Sequence, residues 1–204
     1  MVQKNFSLKH HHDALCHPRL PSTAQQCGFE KGSKEDITYR KQYAKIWEAF
    51  GNRVKKINTR IKRYENLDPE IKFKYLYTPL MKHTIKFLKF CSNKRKHAAA
   101  LFDYLVGTTD YIVLKNESKE VIIKYFEKSQ VPTSYKVTYP YKENANDPRS
   151  YMLLEFSNGW KIRVRIHNAS GRIFKDDGKV FATEKMDPIL INLKQVIIVQ
   201  KKKK

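Results

Sequence analysis

The chain has 204 residues, of which 41 are Lys or Arg and 20 are Asp or Glu, giving a formal net charge of +21. A hydrophobic share of 41% with 12 Tyr and 11 Phe argues against disorder, and so strong a positive field calls for a polyanionic partner, nucleic acid ahead of an anionic membrane surface. The N-terminal MVQKNFSLKHHHDAL has no apolar signal core, no stretch reaches the length of a bilayer span, and Cys16, Cys27 and Cys91 have no paired spacing, so a cytoplasmic protein without a disulfide framework is expected.

In chain order, Asn5-Phe6-Ser7-Leu8 reads as a short strand and the polar stretch from Ser22 to Lys34 as a connection. Tyr39, Tyr43, Ile46, Trp47, Phe50, Val54, Ile57, Ile61 and Tyr64 then keep the spacing of one helix face, predicting one long amphipathic helix with Lys and Arg on its other side. Asp68-Pro69-Glu70 reads as a cap with Pro in the first turn, and Pro79 as the restart of a further helix through His83, Phe87 and Cys91. A fourth helix, His97 to Val106, is expected to end on Gly107.

Beyond Gly107 the pattern changes to strands: Tyr111 to Lys115, Val121 to Phe126, Tyr135 to Tyr139, Tyr151 to Phe156, Trp160 to His167 and Ile189 to Val199. Ser157-Asn158-Gly159 predicts a tight hairpin, because Asn-Gly supplies positive φ angles. The expected fold is therefore α+β, with a helical first half packed on a mixed or antiparallel sheet from the second half.

Within Trp160 to His167, the residues Trp160, Ile162, Val164 and Ile166 share one face, while Lys161, Arg163, Arg165 and His167 share the other. A solvated outer face is the ordinary reading of such a pattern. Four basic positions with no acid among them repel one another, however, and an anion would neutralise them, which favours phosphate contact. The loop that follows, Asn168-Ala169-Ser170-Gly171-Arg172, carries an amide, a hydroxyl and a guanidinium that suit base edges, although a simple turn would use the same residues. Near the N-terminus, Lys9-His10-His11-His12-Asp13 with Cys16 and His17 raises the question of zinc, but no second Cys/His pair stands at zinc-finger spacing.

Three stretches together resemble the HaeIII-type restriction endonucleases. Lys9 to Leu20 (KHHHDALCHPRL) is similar to the family's KHNHDALKHSRL, Leu101 to Tyr111 (LFDYLVGTTDY) to its YLxGxxDxY, and Gly159 to Ser170 (GWKIRVRIHNAS) to its GWxxxxRIHNAS, in the same order and at similar spacing. The resemblance implies a homodimeric, magnesium-dependent type II enzyme that cuts duplex DNA at GGCC, built on a PD-(D/E)xK-type nuclease core and accompanied by a methyltransferase of the same specificity. It implies Lys9 as the catalytic lysine and Asp13 as the nearby metal-ligand candidate. For DNA it implies His10, His12, Lys161, Arg163, Arg165, His167, Asn168, Ser170 and Arg172.

Two departures stand out: Ser7 occupies a position that is usually acidic in this nuclease class, and the strand bearing the first acid would lie upstream of Met1. The expectation is thus a chain that holds DNA with an incomplete cutting site. Its parts are a partial catalytic-core segment over 1–35, a helical region over 36–107, a β-rich DNA-recognition region over 108–200 and a basic tail over 201–204. Two competing readings are a non-catalytic nucleic-acid-binding protein that stacks bases on its aromatics, and a structural protein whose basic helix meets an acidic partner.

Overall fold

The computed structural model describes residues 5–6, 18–107, 111–116, 120–126, 130–142, 148–168, 170–182, 184–192 and 197–201. A short helix α1 (Thr23–Gln26) leads into the main helix, α2 (Lys34–Ile57). Ser33 caps α2 by accepting from the Asp36 N–H at 3.3 Å, Glu35 and Asp36 face its positive end, and Lys55 and Lys56 face its negative end. The predicted stripe is its buried face up to Val54, with Tyr39, Tyr43, Trp47, Phe50 and Val54 all in the core, whereas Ile57 in the last turn is exposed.

The helix stops earlier than its spacing suggested. Asn58 is extended, with φ −163°, and its Oδ1 accepts from the Arg60 N–H at 2.8 Å, a local turn that competes with further helix. Ile61 and Tyr64 therefore reach the core by another route: the chain folds back, and Tyr64 stacks on Phe50 with ring centroids 6.2 Å apart.

Asp68 Oδ1 accepts from the Glu70 N–H at 2.7 Å and starts α3 (Pro69–Lys72), as expected. The chain then runs through a π-helical segment, Phe73–Tyr77, directly into α4 (Thr78–Cys91). Pro79 lacks the N–H that would bond the Tyr75 carbonyl, and the wider turn before it absorbs that loss. Pro79 thus widens a continuing helix instead of restarting one. Helix α5 (Arg95–Val106) ends on Gly107 at φ 95°, whose N–H donates to Asp103 O at 2.8 Å.

The second half forms two sheets where one was expected. The first has the order β1 (Asn5–Phe6), β2 (Tyr111–Asn116), β3 (Glu120–Phe126), β8 (Ile197–Lys201), with β1 parallel to β2 at its edge. The second is antiparallel throughout, β4 (Tyr135–Thr138), β5 (Tyr151–Phe156), β6 (Lys161–Asn168), β7 (Glu184–Asn192). The apolar run from Ile189 to Val199 is divided between them. Strand β7 begins upstream of that run because Pro188, which weakens a strand pattern, is tolerated on this edge strand.

The β5–β6 hairpin closes through Ser157, Asn158 and Gly159, with Gly159 at φ 88° and the Phe156 N–H donating to Trp160 O at 2.8 Å. That closure sets Leu154 opposite Ile162 and turns Met152, Leu154, Phe156, Ile162, Val164 and Ile166 inward. They share one core with the helices. The Phe102 ring meets Phe156 at 5.2 Å and Trp160 at 5.1 Å, and Tyr135 donates its hydroxyl to Leu88 O at 2.7 Å. Among the described residues no helix is long and apolar enough to cross a membrane.

Candidate nucleic-acid interface

Strand β6 keeps the predicted alternation. Lys161, Arg163, Arg165 and His167 are half-buried on the face away from the core, whereas Ile162, Val164 and Ile166 are at most 2% exposed. Their electrostatic setting differs from the expectation. Lys161 Nζ stands 3.0 Å from Glu155 Oε1, Arg165 is in register with Asp187, and Asn168 is in register with Glu184. The Arg163 guanidinium lies 5.3 Å from the centre of the Tyr151 ring, beside Leu153, which is buried on the same face. The row is therefore not four unopposed cations: Glu155 pairs with Lys161 from one neighbouring strand, and the Arg163 guanidinium rests against an aromatic ring. At the end of the strand, His167 Nδ1 is 3.0 Å from Asn168 O, and Asn168 Oδ1 is buried with no hydrogen-bond partner among the described residues.

The loop after β6 is more than a turn. Ser170 Oγ accepts from the Arg172 N–H at 3.1 Å; Gly171 O accepts from the Tyr64 N–H at 2.9 Å, and the Ile173 N–H donates to Lys62 O at 2.8 Å. These bonds make a bridge between Arg63 and Arg172 and bring the exit of α2, with Arg60, Lys62 and Arg63, alongside the loop. A Cβ on Gly171 would stand 3.5 Å from Arg63 Nη2, so the guanidinium lies against the loop backbone. Beneath this ridge is buried Phe174, with Lys55 Nζ 5.3 Å and Lys62 Nζ 5.7 Å from its ring centre. Phe174 in turn rests on Gly51 of α2, where a Cβ would be 3.4 Å from its ring and would collide with Val180.

The cations of this ridge are held loosely. Arg63 pairs with Glu65 at 2.8 Å, Lys179 with Asp177 at 3.3 Å and Arg172 with Asp176, all between side chains that are more than half exposed. The Lys179 N–H and ammonium hold the Asp177 carboxyl below its usual range. Exposed pairs of this kind are weak, so a phosphate can displace the acid at little loss.

Of the expected site residues, the structure brings Asn168, Ser170 and Arg172 to one end of the ridge and leaves Lys161, Arg163, Arg165 and His167 on the adjoining strand. Arg60, Lys62 and Arg63 had no signal of their own, because their segment read as the continuing helix. Lys9, His10, His11, His12, Asp13, Cys16 and His17 lie outside the described residues. Among the described residues no group of three or more His, Cys, Asp or Glu could hold a metal ion.

Fold and surface together define an α+β protein with a two-segment cationic ridge beside an antiparallel sheet. No family model, curated protein or solved structure matches this chain.

Proposed function

We propose that this chain binds duplex DNA along the ridge of Arg60, Lys62, Arg63 and Arg172, with Asn168 and Ser170 placed toward base edges, and that it is related to the HaeIII-type restriction endonucleases. The observation that carries the reading is the Arg63–Arg172 bridge, which ties a basic helix exit to the loop that ends the GWxxxxRIHNAS-like stretch. Phosphate contacts from Arg60, Lys62, Arg63 and Arg172 would fix the register on the duplex, and Asn168 and Ser170 at the start of the loop would meet the groove. Recognition of GGCC, magnesium-dependent cleavage, a homodimer and a partner methyltransferase belong to this proposal through the resemblance alone. The aromatic residues weigh against single-strand stacking, since Tyr39, Tyr43, Trp47, Phe50, Phe102, Tyr135, Phe156 and Trp160 are all buried in the core.

The test is fluorescence anisotropy on GGCC duplex, scrambled duplex and single strand at several salt concentrations, beside cleavage of a GGCC-bearing plasmid with magnesium. A cognate preference of several kcal/mol is expected. Equal affinity for both duplexes would remove the restriction-enzyme reading, and preference for single strand would remove the duplex reading.

A further inference from the structure

Helices α2 and α4 pack side by side and leave between them an open groove of about 920 Å³ whose lining shares no residue with the cationic ridge. From Pro79 to Phe90 its α4 wall is about 16 Å long at 1.5 Å per residue, three helical turns. The floor is apolar, with Ile46, Phe87 and the half-exposed ring of Phe90, which is 51% accessible. Lys82 and Lys86, one turn apart and exposed, form one rim, and Lys34 stands at the α2 side with Glu35 as the only acid of the lining. His83 adds no fixed charge, because burial pulls its imidazole below the usual value.

We propose that this groove receives an amphipathic helix of a protein partner, its apolar stripe on the floor and its acidic flank against Lys82 and Lys86. Two packed helices leave a furrow that a third helix fills at the usual interaxial distance, and the length matches three turns of such a helix. The charge of the rim selects an acidic flank, since Lys82 and Lys86 repel each other at i, i+4 until acids stand between them. A second copy of this chain, itself at +21, would bring cations to a cationic rim. A nucleic-acid strand would need free ring faces, yet the Tyr39 and His83 rings stack on each other at 4.4 Å, Phe87 packs edge-to-face with Phe29 and Tyr39, and Lys94 Nζ lies 3.6 Å from the centre of the Phe90 ring.

The test titrates the full chain with a labelled helical peptide bearing a leucine stripe and glutamate flanks, against a scrambled peptide of the same composition and an oligothymidylate competitor. The peptide is expected to bind saturably. The Lys82→Glu/Lys86→Glu variant and Phe90→Ala should each weaken it by about tenfold, as expected for reversing two rim charges or removing a floor anchor. Lys136→Glu/Lys142→Glu, the same charge change at exposed positions outside the groove, should leave affinity unchanged. Equal binding of the scrambled peptide, equal loss in both charge variants, or no saturable binding would overturn the proposal. Oligothymidylate binding with the same dependence on Lys82, Lys86 and Phe90 would reassign the groove to nucleic acid.

Discussion

Gly51→Ala sets two effects of known size against each other. In a helix interior Ala is favoured over Gly by about 1 kcal/mol. At this position the new methyl would overlap Val180 Cγ2 and press to within 3.4 Å of the Phe174 ring. Val180 is β-branched, which restricts its χ1, and its backbone is held in place: it is bridged to Phe174, and the Phe181 N–H donates to Ile173 O at 2.8 Å just beyond it. Overpacking of this kind costs about 1–3 kcal/mol, so Gly51→Ala should destabilise the protein by up to about 2 kcal/mol. With Val180→Ala the overlap disappears, and Gly51→Ala should then stabilise by up to about 1 kcal/mol. Urea unfolding of the four proteins in a double-mutant cycle reads the difference as a coupling of about 1–3 kcal/mol. A coupling near zero would show that the loop carrying Arg172 and Lys179 does not rest on α2, and would remove the structural basis of the ridge.

Lys62→Ala and Arg172→Ala should each lower the slope of log affinity for duplex against log salt by about 0.9 if each meets one phosphate, and should weaken cognate and scrambled DNA alike; an unchanged slope would exclude that residue from phosphate contact. Arg165→Ala should weaken cognate duplex by about 1–3 kcal/mol with a smaller effect on scrambled duplex, and equal losses in anisotropy titrations would reassign it to the backbone. The Asp36 carboxylate is nearly buried, yet bonds from the Gly32 N–H, Arg40 and Gln25 outweigh burial and hold its pKa below the ordinary 3.8. A depressed folded pKa stabilises above the unfolded value and is lost as pH falls through the folded one. Asp36→Asn should therefore be less stable by about 1–3 kcal/mol near neutrality, and denaturant midpoints of the two proteins should converge at acidic pH; a constant gap would refute the linkage.

Much of the fold was legible because periodicity reports burial. Tyr39 to Val54, the cap at Asp68, the stop at Gly107 and the alternation of β6 are all local signals, and each stands in the structure. The failures share one cause, which is that spacing does not record the path of the chain between apolar residues. Ile61 and Tyr64 fall on the α2 stripe by count, but Asn58 turns the backbone and Tyr64 meets Phe50 from a separate segment. Ile189 to Val199 reads as one strand, although it serves two sheets. On β6 the cations were visible, whereas Glu155 and Asp187 come into register with them only through the pairing of the strands. The proximity of Arg60, Lys62 and Arg63 to Arg172 depends on a bridge across more than half the length of the chain, which no local pattern encodes.

A net charge of +21 attracts polyanions from every side, so the total does not say where one is held. Competition does. A phosphate that approaches β6 must displace Glu155 from half-buried Lys161 and insert among side chains packed on Tyr151 and Leu153. On the ridge it displaces Glu65 or Asp176 from side chains that are mostly in water, where the existing pairs are weak. Under the proposed reading, therefore, the ridge supplies most of the salt-dependent affinity, and the half-buried row with Asn168 at its end supplies discrimination, because only a partner that satisfies those groups as well as their present neighbours can replace them. Affinity and specificity would then reside in different residues of one surface. The salt slope should follow Lys62 and Arg172, whereas the ratio of cognate to scrambled affinity should follow Arg165 and Asn168, and a single variant that altered both in proportion would contradict this division.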